Sequence, residues 1–124
     1  MEYSINAKQT DKDERSLNYQ GIFTVHVIAR LKHELLDHLN QSRRLELNLS
    51  GVSEMDTAGI QLLLLLKREA RAQGKTFRIL EHSAPVLRIL DLYGLALEFG
   101  DRIKLKKGER KNYAFKYGVG KGRD

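Results

Sequence analysis

The sequence predicts an α/β fold in which strands joined by a helix run parallel. Three observations carry this. Short runs of alternating apolar residues are separated by longer runs whose apolar residues recur at three- and four-residue steps, in the order strand, helix, strand, helix, strand, helix. A connecting helix returns the chain to the start of the sheet, so the strands it joins share a direction. Length is the third observation: 124 residues make one domain whose core needs neither disulfides nor a structural metal.

Residues 3–7 suit a first strand, and Thr10-Asp11-Lys12-Asp13-Glu14-Arg15 is polar enough to be a turn. Residues 16–20 put Leu17 and Tyr19 on one face, which predicts an edge strand ending at Gly21. From Thr24 the pattern becomes helical: Val25, Ile28, Leu31, Leu35 and Leu39 are apolar while Arg30, Lys32, Glu34 and Asp37 are polar. An amphipathic helix of about four turns follows, ending near residues 40–42.

Leu45-Glu46-Leu47-Asn48-Leu49 alternates strictly and stops at Ser50-Gly51, as a strand with one buried face does, and residues 51–56 then form a loop. A second helix spans residues 57–73, where Lys67, Arg68, Glu69 and Arg71 follow an apolar stretch and Gly74 takes the C′ position. Its consecutive leucines, Leu62, Leu63, Leu64, Leu65 and Leu66, cover most of the circumference, so the helix is largely buried or shows an apolar stripe to a partner. Residues 75–81 supply a strand with Phe77 and Ile79 on one side. Ser83 caps a third helix, with Pro85 in its first turn and Val86, Leu87, Ile89, Leu90 and Leu92 inward, closing at Gly94. A short last strand is predicted at residues 103–105.

Charge divides the chain at this point. The net +6 resides wholly in residues 104–124, where eight basic residues meet two acidic ones, and residues 1–103 carry 14 of each sign. We therefore expect a neutral folded domain over 1–103 and a basic, Gly-rich C-terminal extension over 104–124, in which Tyr113, Phe115 and Tyr117 alternate with Ala114 and Lys116. Aromatics among cations suit an added edge strand or a nucleic-acid contact, but a solvated or partly ordered extension is the favoured reading, ahead of a protein contact, with nucleic acid or anionic lipid last. The absence of cysteine excludes thiol catalysis, Cys-ligated zinc and iron–sulfur clusters. The longest apolar run, residues 60–66, contains Gln61 and falls short of the roughly 18 residues of a membrane span. With no apolar leader after Met1-Glu2-Tyr3-Ser4, a cytoplasmic location is expected.

Catalytic and metal motifs fail on spacing. His33-Glu34-Leu35-Leu36-Asp37-His38 is similar to a zinc-protease helix, but His38 lies at i+5, about 140° round from His33, so the rings do not face one ion. A solvated helix face is expected, and neither metal nor cofactor. Gly118-Val119-Gly120-Lys121-Gly122 lacks the spacing and the following helix of a phosphate loop. No nucleophile and base pair is apparent, so an enzyme is not indicated. What remains is Asp56-Thr57-Ala58-Gly59 at the start of the leucine helix. Either Asp56 or Thr57 is simply an N-cap, or the hydroxyl is a kinase target or contact point whose charge sets partner affinity.

The stretch Leu45-Glu46-Leu47-Asn48-Leu49-Ser50-Gly51-Val52-Ser53-Glu54-Met55-Asp56-Thr57-Ala58-Gly59-Ile60 resembles a STAS domain, the domain of sulfate transporters and anti-sigma-factor antagonists. The leucine helix, Gly74, the strand and helix ending in Leu92-Tyr93-Gly94-Leu95, and the upstream Gly21-Ile22-Phe23-Thr24-Val25 add to it, so that it spans roughly residues 17–100. The resemblance implies a mixed, largely parallel sheet with helices packed mainly on one face. It also implies a non-enzymatic module that binds a partner protein through Asp56, Thr57, Ala58, Gly59 and Gln61. In the antagonists a histidine-kinase-like serine/threonine kinase phosphorylates the position matching Thr57; the unmodified antagonist binds the anti-sigma factor, and phosphorylation releases it. Thr57-Ala58 stands where sporulation-type antagonists have two serines, and this is more similar to stand-alone proteobacterial STAS proteins. Those include a subunit of a phospholipid-transport ABC complex, whose partner is the transporter ATPase, and chemotaxis-associated proteins. A second copy of the chain is a further candidate partner.

Overall fold

The structure, a computed structural model, describes residues 2–94, so the strand predicted at 103–105 and the basic extension lie outside the described residues. Its elements are β1 (Tyr3–Asp11), β2 (Glu14–Phe23), α1 (Ile28–Asn40), β3 (Arg44–Met55), α2 (Thr57–Ala72), β4 (Thr76–His82) and α3 (Ala84–Leu92). The sheet order is β1-β2-β3-β4. The hairpin β1–β2 is antiparallel, whereas β2–β3 and β3–β4, each joined by a helix, are parallel.

Side-chain alternation decides which face is covered. Leu17 and Tyr19 of β2, Leu45, Leu47 and Leu49 of β3, and Phe77 and Ile79 of β4 lie in one buried cluster with α1 residues Leu31, Leu35 and Leu39, α2 residues Leu63 and Leu66, and α3 residues Val86, Leu87 and Leu90. Pairing Leu17 with Leu47, and Leu47 with Ile79, lays these side chains across the sheet on that face. The intervening residues Asn18, Gln20 and Arg78 are exposed. The helices therefore pack on one face of a mixed, mostly parallel sheet.

Several local expectations need correction. The segment at residues 16–20 is not an edge strand. β2 lies between β1 and β3, because the polar stretch after residue 7 continues β1 and only Lys12 and Asp13 turn, with Asp13 at φ 63°. Asp13 also receives the N–H of Arg43 on its carbonyl at 2.6 Å, which ties the hairpin tip to the start of β3. Gly21 does not end β2. It sits at φ 116° beside a register shift, where an added Cβ would lie 2.3 Å from the Glu2 carbonyl oxygen, so it is a bulge through which the strand continues to Phe23. Likewise Ser50-Gly51 is interior to β3, which runs to Met55 in place of the loop expected at 51–56.

The first helix begins at Ile28 rather than Thr24. Residues 24–27 form a turn closed by Val27 N–H on the Thr24 carbonyl at 3.0 Å, so Val27 is buried and Val25 points out. Ser83 occupies the N-cap of α3, but its side chain makes no capping bond and its hydroxyl is buried without a partner in the described structure. Leu92, expected inward, is exposed.

Candidate functional site

Two parallel strands that end level bring their following loops together. Phe23 closes β2 opposite Met55 at the end of β3, so the turn at residues 24–27 lies against Asp56. That residue has extended backbone (φ −129°, ψ −174°) and caps α2, one carboxylate oxygen accepting Gly59 N–H at 3.1 Å. The other oxygen accepts Val25 N–H at 2.9 Å. A single carboxylate thus fixes both the start of α2 and the preceding helix's entry turn, with its negative charge at the positive end of the α2 dipole.

Gly59 makes this close approach possible. A Cβ there would lie 2.4 Å from the Phe23 carbonyl oxygen and 2.7 Å from its ring. Gly59 is consequently buried beneath the site, while Thr57 and Gln61 are exposed and Asp56 and Ala58 are partly covered. The five residues predicted from the sequence are therefore one helix start, of which four reach the surface and the fifth sets the packing below.

Around this start the structure adds residues the sequence reading placed elsewhere. The Thr57 hydroxyl is 3.3 Å from the hydroxyl of Tyr93, at the C-cap of α3. Val25, Leu92 and Tyr93 are 64%, 75% and 51% exposed. Leu92, Met55, Pro85, Ile89 and Arg88 line a groove of about 470 Å³ on one side of the loop. On the other side a groove of about 450 Å³ runs between α1 and α2 from Ile28 and Ala58 toward Arg68. Periodicity assigned Val25 and Leu92 to the core and was silent about Tyr93, because nothing local reports a contact made across 36 positions.

The histidines are arranged differently from the expected solvated face. His33 is exposed, but His38 is partly buried, its Nδ1 accepting from the Arg15 guanidinium at 3.0 Å. Burial, and next the neighbouring Arg15 charge, push His38 below the ordinary imidazole value. Among the described residues no three His, Cys, Asp or Glu side chains gather as metal ligands, and no helix is long and apolar enough to cross a membrane. A separate cluster on the β1 side joins Tyr3, Glu34, Arg30 and Glu2. There the Tyr3 hydroxyl donates to Glu34, and Arg30 lies 5.2 Å over the Tyr3 ring and 2.7 Å from Glu2. These groups satisfy one another.

Solved structures share this architecture. An anti-sigma factor antagonist from Mycobacterium paratuberculosis superposes with a TM-score of 0.70 at 14% identity, over 90% of this chain and 93% of that one. The anti-sigma factor antagonist SpoIIAA in its unphosphorylated form gives 0.64 at 18% identity, over 88% and 96%. Bacillus SpoIIAA in its phosphorylated form gives 0.60 at 15%, over 88% and 98%. At these identities the likeness is one of fold. The family model for the Mlab-type STAS domain matches residues 6–99, from within β1 to beyond the end of α3, and the chain belongs to the STAS domain family.

Proposed function

We propose that this chain is a non-enzymatic cytoplasmic adaptor of the anti-sigma-factor-antagonist kind. It binds a partner protein through Asp56, Thr57, Ala58 and Gln61, over a helix start shaped by Gly59, and is switched by phosphorylation of Thr57. One observation carries the reading: of the exposed large apolar side chains among the described residues, Val25 and Tyr93 belong to residues bonded to Asp56 and Thr57, and Leu92 lines the groove beside Met55. Apolar groups left in water around a polar centre are what a partner interface covers. Asp56 supports it too, since both of its oxygens hold backbone amides and the carboxylate is a positioning group rather than a free base.

The partner in this reading is an anti-sigma factor or a histidine-kinase-like serine/threonine kinase. Phosphate on Thr57 adds roughly −1.5 to −2 charges in the middle of the apolar rim. SpoIIAA, of the same fold, exists in both phosphorylated and unphosphorylated forms. A second reading, in which Thr57 is a fixed contact to the ATPase of a phospholipid-transport ABC complex, is favoured by the hydrogen bond its hydroxyl already makes to Tyr93.

Affinity capture from native lysate with wild type, Thr57→Glu and Thr57→Ala tests both. The switch predicts that Thr57→Glu loses the partner while Thr57→Ala keeps it and resists release by the kinase. The contact reading predicts that Thr57→Ala itself weakens capture of an ATPase. Equal recovery by all three proteins would remove Thr57 from the mechanism.

A further inference from the structure

The groove between α1 and α2 has walls of one charge and an apolar floor. Leu62, Leu63 and Leu66 are buried, but Leu64 and Leu65 from the same run are only partly covered and line the groove. Lys32 on α1 and Arg68 on α2 also line it, both exposed, and among the described residues no carboxylate does. Neither cation has an ion pair or hydrogen bond among the described residues. The groove's other end reaches Ala58, in the first turn of α2.

We infer that this groove receives an acidic amphipathic helix of the partner, which lays its apolar side chains over Leu64 and Leu65 and sets carboxylates on Lys32 and Arg68; the inference rests on the adaptor reading and names the partner's chemistry. Dimensions agree with a helix. Ala58 and Arg68 are ten residues apart on one helix, about 15 Å, which matches roughly three turns of an apolar stripe read at i, i+4 and i+7. Charge selects against other occupants. A second copy docking the same groove would bring Lys32 and Arg68 against their own kind. An anionic membrane needs about four to eight clustered cations, and this groove offers two.

The probe is a labelled helical peptide of about four turns with leucines at i, i+4 and i+7 flanked by glutamates, titrated into the full chain, with a lysine-flanked version as control. We expect saturable binding of the glutamate peptide, weakened at least about tenfold in Lys32→Glu/Arg68→Glu. The lysine peptide should prefer that reversed protein, which a folding defect could not produce. No saturable binding of the glutamate peptide to wild type overturns the inference. So does equal affinity for both peptides, or retention of phosphatidylserine vesicles by a protein that ignores the peptide. Thr57→Glu keeps the two readings apart. Loss of partner capture by Thr57→Glu but not by the charge-reversed protein leaves the adaptor reading standing and sinks the groove. Charge-dependent peptide binding with Thr57-independent capture does the opposite.

Discussion

Asp56 holds two loops with one side chain, and its removal should be felt twice. Losing the N-cap bond to Gly59 costs roughly 0.5–2 kcal/mol, and the Val25 amide loses its acceptor as well. Asp56→Ala should therefore lower the unfolding free energy by an amount near the top of that range, seen as a lower denaturant midpoint. Asp56→Asn should lose less, because its amide oxygen still accepts one N–H. A midpoint equal to wild type for Asp56→Ala would show that the clamp contributes nothing. At Thr57 two effects oppose each other. The α2 dipole returns about 0.3–1 kcal/mol to an added anion, whereas desolvating a doubly charged group against an apolar partner costs more. Interface loss outweighs intramolecular gain, so in the proposed switch phosphate on Thr57 is expected to release the partner without unfolding the domain. The helix start was legible in the sequence because a cap is a local device: Asp56 and Gly59 are three residues apart. Val25 and Tyr93 were not, since their contacts to the loop span 31 and 36 residues.

At the scale of elements, glycine carried the ambiguity. Gly21 and Ser50-Gly51 read as strand ends, yet each lies at a bulge where paired strands continue past a register shift, and only the neighbouring strand reveals which of the two a glycine serves. That continuation matters to the site, because it carries β2 and β3 to a common end beside Asp56. The helices were read more faithfully, since their three- and four-residue periodicity is set by burial on one side; α2 starts at Thr57 as expected. The start of α1 was misplaced because Val25 fits the periodic stripe but is turned outward by its amide's bond to Asp56. Near the end of α1, His38 links helix to hairpin as a neutral acceptor of the Arg15 guanidinium. Its folded-state pKa is lowered, so the unfolded chain binds the proton more readily, and stability present above about pH 6.5 is lost as pH falls toward the lower folded value. Thermal unfolding across that window should show wild type losing more stability on acidification than His38→Gln. Identical pH slopes would exclude the coupling.

The whole molecule divides its labour between faces. One side of the sheet is sealed by α1, α2 and α3 over a leucine-rich core, and the other is polar, with Asn18, Gln20 and Arg78 exposed. The candidate binding residues gather at the carboxyl ends of the parallel strands, where helix starts converge and where open α/β sheets generally place their sites. Fold class was legible because it follows from element order and alternation; the proposed partner face was legible only at its centre, the rim being assembled from distant positions. A photo-crosslinking residue placed at Gln61, compared with one at Asn18 on the opposite sheet face, tests the central claim most directly in cells. The account predicts a crosslinked partner from position 61, none from position 18, and loss of the position 61 product when Thr57 is replaced by Glu. A product of equal yield from position 18, or one from position 61 indifferent to Thr57→Glu, would contradict it.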